Sequence, residues 1–131
     1  MLKVVLDTNV IVSAILSPGG NPALILNDVL SGKHLFHYAP AILAEYKEVL
    51  YRPELNFETK RVQLILESLA EKGIKKTPPQ SSIVLVDESD RVFFDLANLV
   101  GAYLVTGNVK HYPDKPFIIT PSQLMRLLQS E

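Results

Sequence analysis

The sequence lacks cysteine altogether: none of its 131 residues is one. This absence excludes thiolate catalysis, zinc sites built from cysteine and a disulfide framework. An excess of basic charge is also missing, because the formal net charge is −1 at pH 7. The composition therefore gives no sign of a polyanion-binding protein. No glycine-rich phosphate loop follows the first apolar run, which excludes the common nucleotide-binding motifs.

The N-terminal stretch, residues 1–16, is apolar but is interrupted by Asp7, Thr8 and Asn9. It has no basic leading region and no small-residue cleavage site, so we expect neither a signal peptide nor a membrane span. A chain of 131 residues in which 47% are apolar is large enough to bury a core of its own. We therefore expect a single domain over residues 1–131, in a cytoplasmic protein.

Short apolar runs alternate with amphipathic segments along the chain. This pattern predicts strands over 3–7, 34–38, 83–86, 103–106 and 117–120, and helices over 9–16, 22–30, 40–50, 58–72, 89–100 and from 121 onward. Residues 75–82, with two prolines, are expected to form a loop. Strands that alternate with helices and are apolar throughout favour an α/β fold with a parallel sheet covered on both faces. Ligands of such sheets bind beyond the carboxyl ends of the strands, where Asp7 and Thr106 stand.

Two carboxylates occupy positions that surface charges seldom take. Asp7 directly follows the first strand, where it either caps the next helix through backbone N–H groups or faces a ligand. Glu45 lies at the margin of the apolar face of its helix, because each residue turns a helix by about 100°. Glu48, on the same helix, projects to the solvated side. The alternative for Glu45 is a boundary carboxylate paired with a lysine or an arginine.

A third carboxylate, Asp90, begins a later helix and falls within the apolar stripe that contains Phe93 and Phe94. Asp95, on the same helix, is predicted to point outward. Burying a carboxylate costs free energy unless something positive compensates it. Either the free N–H groups at the helix start do so, with Asp90 as a capping residue in a box with Asp87, or a bound metal ion does.

If Asp7, Glu45 and Asp90 converge, they form a negative pocket lined by oxygen ligands. Hard divalent cations such as Mg²⁺ or Mn²⁺ prefer such ligands and keep positions for water and phosphate. A metal ion there is able to generate hydroxide and to stabilise the leaving oxygen when a phosphodiester is hydrolysed. It also inverts the local charge, which allows an acidic pocket to accept a polyanion.

Four segments together resemble the PIN-domain family, and in particular the toxin-like PIN proteins of prokaryotic toxin–antitoxin systems (VapC-like ribonucleases). The segments are LDTNVIVSAIL (Leu6–Leu16), AILAEYKEVLYRPEL (Ala41–Leu55), DESDRVFFDLA (Asp87–Ala97) and YLVTGNVKHYP (Tyr103–Pro113). The resemblance covers nearly the whole chain and implies a three-layer α/β/α PIN-like fold with a central, mostly parallel sheet. It also implies that Asp7, Glu45 and Asp90 are catalytic acids that bind the metal.

The chain departs from this family at Asn108, which occupies the turn where the usual fourth acid belongs. Asparagine ligates through its carbonyl or holds a metal-bound water, but it removes one negative charge. With Asn108 as a candidate catalytic residue, we expect weaker occupancy of a second metal site, and either a one-metal mechanism or low activity. The alternative is a plain turn residue. Asn9 and Thr106 are candidate neutral groups that orient carboxylates or water from behind the ligands.

Four basic residues stand near the predicted site, Arg52, Lys110, His111 and Lys115. Arg52, Lys110 and Lys115 are candidate contacts to RNA phosphates, although exposed lysines usually bind nothing specific and Arg52 equally suits a contact between subunits. His111 is not assigned as a base, because a lone histidine in a turn-rich loop is more often structural or solvated.

The leading hypothesis is an Mg²⁺- or Mn²⁺-dependent endoribonuclease. The resemblance implies a toxin role, an antitoxin partner that blocks the site, and a homodimer. The second hypothesis is a catalytically weak PIN-like domain that binds RNA or protein without cleaving, which Asn108 favours. A phosphatase that forms an aspartyl phosphate is disfavoured, because it requires a second aspartate where Asn9 stands.

Overall fold

A computed structural model of the protein describes residues 1–130. Strands and helices alternate along this part of the chain, joined by three short 3₁₀ turns. The elements are β1 (Lys3–Leu6), α1 (Thr8–Leu16), α2 (Asn21–Leu30), β2 (Leu35–Tyr38), α3 (Pro40–Leu50), α4 (Thr59–Lys72), β3 (Ile74–Lys75), α5 (Arg91–Val100), β4 (Tyr103–Val105), β5 (Ile118–Ile119) and α6 (Pro121–Gln129). The 3₁₀ turns are Pro53–Leu55, Glu88–Asp90 and Val109–His111.

The strands form one sheet in the order β3-β2-β1-β4-β5, and every pairing between neighbours is parallel. From β1 the chain continues to β2 on one side of the sheet, whereas β4 joins β1 on the other side. The strand order therefore reverses between β1 and β4, which is where parallel sheets open a crevice for ligands. Asp7 and Thr106 directly follow these two strands.

Helices cover both faces of this sheet. Val4, Val5 and Leu6 of β1 are all fully buried, although successive side chains of a strand point to opposite faces. The predicted three-layer α/β/α fold with a parallel sheet is thereby confirmed. The buried hydrophobic side chains form one core cluster. That the chain is a single domain stays a prediction.

The predicted strand over 83–86 was wrong. Those residues form no strand, and the side chains of Val84 and Val86 are 90% and 77% exposed. The edge strand beside β2 is instead β3, which includes Lys75, a residue that had been expected to begin a loop. The physical reason is a hydrogen bond from a side chain. The Arg91 guanidinium donates to the carbonyl oxygen of Ile83 at 2.7 Å, which holds this segment against α5 instead of against a neighbouring strand.

The prediction that Asp95 points outward was also wrong. Asp95 is only 6% exposed, and its carboxylate accepts a hydrogen bond of 3.0 Å from the backbone N–H of Ser81. Arg91 donates to the carbonyl of Ser81 at 2.7 Å, so the segment before α5 is held over this side of the helix. The sequence pattern of α5 shows one apolar stripe, but it does not show that a loop covers a second face of the helix. The burial of Asp95 was therefore not predicted.

Within residues 1–130, no single helix is long and apolar enough to cross a membrane, and α1 with α2 passes that test only as a pair bent by 106°. Both helices of this pair contribute buried residues to the core.

Candidate active site at the carboxyl end of the sheet

Asp7 stands at the start of α1 without capping it. It is the N-cap residue of the helix, but its side chain accepts no hydrogen bond from the helix backbone. Instead its Oδ2 accepts hydrogen bonds from the Thr106 hydroxyl at 2.8 Å and from the Tyr112 hydroxyl at 3.0 Å. The side chain is 7% exposed. The capping interpretation of Asp7 is therefore wrong, and its carboxylate is fixed across the gap between β1 and the segment after β4.

Thr106 links Asp7 to the turn that follows β4. Thr106 is fully buried. Its hydroxyl accepts a hydrogen bond from the backbone N–H of Asn108 at 3.0 Å and donates one to Asp7. The Asn9 amide bridges the same elements, because Oδ1 accepts from the Gly107 N–H at 3.0 Å and Nδ2 donates to the Thr106 hydroxyl at 3.5 Å. Asn9 and Thr106 thus connect α1 and Asp7 with the turn after β4; that they orient metal ligands or water stays a prediction.

Glu45 faces the same site from α3. Its carboxylate accepts a hydrogen bond from the Thr8 hydroxyl. Burial is the largest influence on the pKa of Glu45 and raises it, the Thr8 hydrogen bond lowers it, and the charges of Asp7 and Asp87 raise it further. Among the described residues, no basic side chain forms an ion pair with Glu45, although the charge of Glu45 helps to raise the pKa of Arg52.

The basic partner on α3 belongs to Glu48 instead. Its carboxylate accepts from the Arg52 guanidinium at 2.8 Å on the exposed side of the helix. The alternative in which Glu45 is a boundary carboxylate with its own lysine or arginine was therefore wrong. Glu45 and Glu48 share a helix, but only Glu48 forms an ion pair with Arg52, and the charge of Glu48 helps to raise the pKa of Glu45.

Asp90 is the N-cap residue of α5, and its side chain makes no capping hydrogen bond either. Asp87 caps the preceding 3₁₀ turn by accepting from the Ser89 N–H at 3.0 Å, so the expected box between Asp87 and Asp90 is absent. Burial, followed by the charges of Asp7 and Asp87, raises the pKa of Asp90 to about 6, against an opposing effect of His111. The His111 Nδ1 atom is 3.9 Å from the Asp90 carboxylate.

The structure brings Asp7, Glu45 and Asp90 together: the charge of Asp7 raises the pKa of Glu45, and the charges of Asp7 and Glu45 both raise the pKa of Asp90. Like charges that are held together and partly buried repel one another, so a bound cation lowers the free energy of the folded protein there. The donors are carboxylate oxygens, the type that Mg²⁺ and Mn²⁺ prefer, so their chemistry fits such an ion. As they stand, however, no three acidic or histidine side chains within residues 1–130 are arranged to hold a metal.

The basic candidates are less closely tied to this site. Arg52 is engaged by Glu48, whereas Lys110 and Lys115 are exposed on the segment after β4. His111 is half-exposed at the edge of the site beside Asp90. A role for Arg52, Lys110 or Lys115 in binding RNA stays a prediction.

Two hydroxyl groups at this site were missed from the sequence. Tyr112 is buried and donates to Asp7, and Thr8 donates to Glu45. Burial and the charge of Asp7 raise the pKa of the Tyr112 phenol, so this group stays protonated and acts as a donor. Thr8 is adjacent to Asp7 in the sequence but was not among the predicted site residues. Tyr112 gave no signal beyond its place in a turn-rich segment.

Asp90→Asn is expected to stabilise the metal-free protein near neutral pH. Because folding raises the pKa of Asp90, its ionised form is disfavoured in the folded state. The neutral form therefore contributes stability that is complete below the unfolded pKa and is lost as pH rises through about 6. After discounting for solvent screening, we expect urea denaturation in EDTA to give a gain of about 1 kcal/mol in the free energy of unfolding of the variant at about pH 7.5.

At about pH 2.5, well below the ordinary pKa of 3.8, Asp90 is largely protonated in both states of the wild type, so the two proteins should unfold with equal free energies. A variant that is less stable than wild type at about pH 7.5 but equal to it at about pH 2.5 would contradict the raised pKa, because it would mean that favourable partners hold the charged form of Asp90.

The geometry defines a three-layer α/β/α domain with acidic side chains gathered where the strand order of its sheet reverses. A sequence model of the PIN domain matches residues 3–110. The chain therefore belongs to the PIN-domain family, whose members are generally nucleases. The resemblance stated from the four sequence segments is confirmed at this level.

The relatives of this chain extend over most of its length. It is 31% identical over 110 residues to the uncharacterized protein MJ1680 of Methanocaldococcus jannaschii, covering 82% of this chain and 71% of that protein. Among solved structures, it is similar to a chain of VapBC2 from Rickettsia felis, crystallised bound to a DNA fragment from their promoter. The TM-score is 0.58 at 17% identity, with 91% of this chain and 97% of that chain covered. At this identity the likeness concerns the fold.

Proposed function

We propose that the protein is a metal-dependent endoribonuclease that hydrolyses RNA phosphodiester bonds. The observation that carries the proposal is the gathering of Asp7, Glu45 and Asp90 at the carboxyl end of the sheet in a chain of the PIN-domain family. Asp7 and Asp90 both occupy N-cap positions without capping their helices, so their carboxylates are directed to something other than the backbone. A ligand in the crevice between β1 and β4 accounts for that arrangement.

The proposed cofactor is Mg²⁺ or Mn²⁺, held by Asp7, Glu45 and Asp90. When bound, the ion supplies an activated water and neutralises the charge of the reacting phosphate. The chain fixes the ligands: Thr106 and Tyr112 orient Asp7, and Thr8 orients Glu45. Such supporting hydrogen bonds hold carboxylates in the rotamers that ligation needs.

The remaining residues are proposed to bind and position the RNA. Asn108 stands beside Thr106 with an amide in place of a carboxylate, which reduces the negative charge that the backbone of RNA would meet. Lys110 and Lys115 follow on the exposed surface of the same segment and are proposed to contact phosphates. Arg52 is proposed as a further contact, which requires it to leave its ion pair with Glu48.

We further propose that the protein is the toxin component of a toxin–antitoxin system and acts in the cytoplasm. This proposal is supported by the resemblance of the four sequence segments to toxin-like PIN proteins and by the similarity of fold to a chain of VapBC2. The proposal implies a cognate antitoxin that blocks the acidic site. It also implies that the protein forms a homodimer.

A second candidate is a catalytically weak PIN-like domain that binds RNA or protein without cleaving. Two observations favour it: Asn108 replaces the usual fourth acid, and the acidic side chains within residues 1–130 form no ready-made metal site. Cleavage by the purified protein, or its absence, separates the two candidates.

The test is cleavage of a mixed RNA pool in Mn²⁺, in Mg²⁺ and in EDTA, with Glu45→Gln and Glu48→Gln as matched variants on α3. Wild type and Glu48→Gln are expected to cleave only with metal, because Glu48 is engaged by Arg52 on the exposed face. Glu45→Gln is expected to be slower by roughly 10²-fold or more, since even partners behind metal ligands are worth about 10- to 100-fold.

Cleavage that persists in EDTA, or equally in Glu45→Gln, would count against the proposed nuclease site. No cleavage by folded wild type in either metal would favour the second candidate.

A further inference from the structure

A cleft of about 290 Å³ opens beside the acidic site, at the starts of α2 and α6. Its polar lining is formed by Asn9, Ser13, Gly107 and Asn108, and the rings of Pro22 and Pro121 contribute apolar surface. Pockets for small molecules begin at about 300 Å³, so this cleft suits one group of the size of a nucleoside rather than a longer segment.

The cleft is continuous with the carboxylates through Thr106. Both Asn9 and Asn108 contact the Thr106 hydroxyl, by the Asn9 amide at 3.5 Å and the Asn108 backbone N–H at 3.0 Å. That hydroxyl donates to Asp7 at 2.8 Å. Only one side chain, Thr106, therefore separates the cleft lining from Asp7.

Two polar groups of the lining have unused hydrogen-bonding capacity. Within residues 1–130, neither the Asn108 side-chain amide nor the Ser13 hydroxyl has a hydrogen-bond partner. The Asn108 amide presents a donor and an acceptor side by side, the combination that reads the edge of a nucleobase. The Asn9 amide, by contrast, is held by Gly107 and Thr106.

The apolar lining suits the flat face of a base. Pro22 and Pro121 lie in the first turns of α2 and α6, and the pyrrolidine ring of each holds its apolar surface in a fixed position because it is closed onto the backbone. The cleft lining thus contains rigid apolar rings and an amide without a partner, which are the two features that bind a base by its face and by its edge.

We propose that this cleft binds the nucleotide next to the scissile phosphate and that the Asn108 amide hydrogen-bonds to the edge of its base. The inference rests on the proposed nuclease function and adds to it a subsite that determines base preference. Asn108 then has a role of its own, as a recognition residue at the position where the family carries an acid.

Ser13→Phe fills this cleft with a ring. Ser13 is exposed on α1, so the substitution is compatible with the fold. Asn98→Phe on the exposed side of α5 is the matched control, because Asn98 lines a different surface depression with no residue of the acidic site. Asn108→Ala is a second variant, which keeps the cleft open and removes only the amide.

In the wild type, mapping the cut sites in an RNA pool by sequencing is expected to show a base preference at one position adjacent to the cut. Ser13→Phe and Asn108→Ala are expected to lose that preference and to raise KM by roughly tenfold or more, as expected for a lost base contact. Asn98→Phe should keep the wild-type preference.

A second readout does not depend on cleavage. Nucleoside monophosphates titrated into metal-free protein are expected to shift the backbone amide NMR signals of Ser13, Gly107 and Asn108 in the wild type and in Asn98→Phe, but not in Ser13→Phe. Nucleotide binding by a wild type that cleaves no RNA would keep the cleft assignment and remove the nuclease proposal.

Two results would overturn the cleft assignment. One is an unchanged cut-site preference in folded Ser13→Phe and Asn108→Ala, which would leave the nuclease proposal standing. The other is the absence of any nucleotide-dependent shift at these amides in the wild type.

Discussion

Asp7→Asn is expected to lower metal-dependent RNA cleavage by roughly 10²-fold or more while the protein stays folded. The amide has the shape of the carboxylate, and its oxygen is able to accept the hydrogen bonds that Thr106 and Tyr112 donate. What is lost is the negative charge beyond the carboxyl ends of β1 and β4, where the strand order of the sheet reverses. Because Asp7 also raises the pKa of Glu45 and Asp90, the substitution relieves repulsion in the metal-free protein.

Asp95→Asn is the control for Asp7→Asn. The two aspartates are buried to the same degree, with 6% of Asp95 and 7% of Asp7 exposed. Asp95 lies on α5 outside the acidic site, where its carboxylate accepts a hydrogen bond from the backbone N–H of Ser81. We expect Asp95→Asn to retain cleavage. Equal losses in both variants would show that the assay reports a general effect of altering buried carboxylates, and full activity in Asp7→Asn would remove Asp7 from the site.

Gly73→Ala is expected to lower the free energy of unfolding by about 2–3 kcal/mol. A β-carbon at this position would lie 2.7 Å from the Leu69 carbonyl oxygen, 2.7 Å from Tyr38 Cδ1 and 2.8 Å from Phe36 Cδ2. The carbonyl is fixed by its hydrogen bond from the Gly73 N–H at 2.9 Å, and the two rings stack at 5.8 Å between centroids. Neither neighbour is free to move away, so the added methyl group has to displace the end of α4 from β2.

Gly19→Ala is the matched control for Gly73→Ala in urea denaturation. No atom lies within 4 Å of a β-carbon built at Gly19, so its effect should remain within about 1 kcal/mol, in either direction. An equal and small effect of both substitutions would contradict the close contact between the end of α4 and β2.

Much of the fold was predictable from local pattern. The alternation of apolar runs with amphipathic segments gave β1, β2, β4 and most helices within a residue or two of their observed bounds. The position of the candidate site also followed from sequence, because residues after parallel strands meet at one edge of a sheet. Asp7 and Thr106 are in direct contact there. That these residues take part in catalysis stays a prediction.

Several features required the tertiary structure. β3 has only two residues, too few for any periodic signal, whereas the longer apolar run at 83–86 is held by Arg91 outside the sheet. The φ of Gly73 is −77°, so a glycine is needed there for the close approach of α4 to β2 rather than for a left-handed conformation. The Tyr112 hydroxyl reaches Asp7 across a separation of 105 residues, which no local pattern shows.

The most direct test of the central claim is a calorimetric titration of Mn²⁺ into metal-free wild type and into Asp7→Asn. If the three carboxylates form the cation site, the wild type binds Mn²⁺ and the variant binds it more weakly by roughly 10- to 100-fold. Equal affinity in both proteins, or no binding by folded wild type, would contradict the assignment of Asp7, Glu45 and Asp90 as a metal centre.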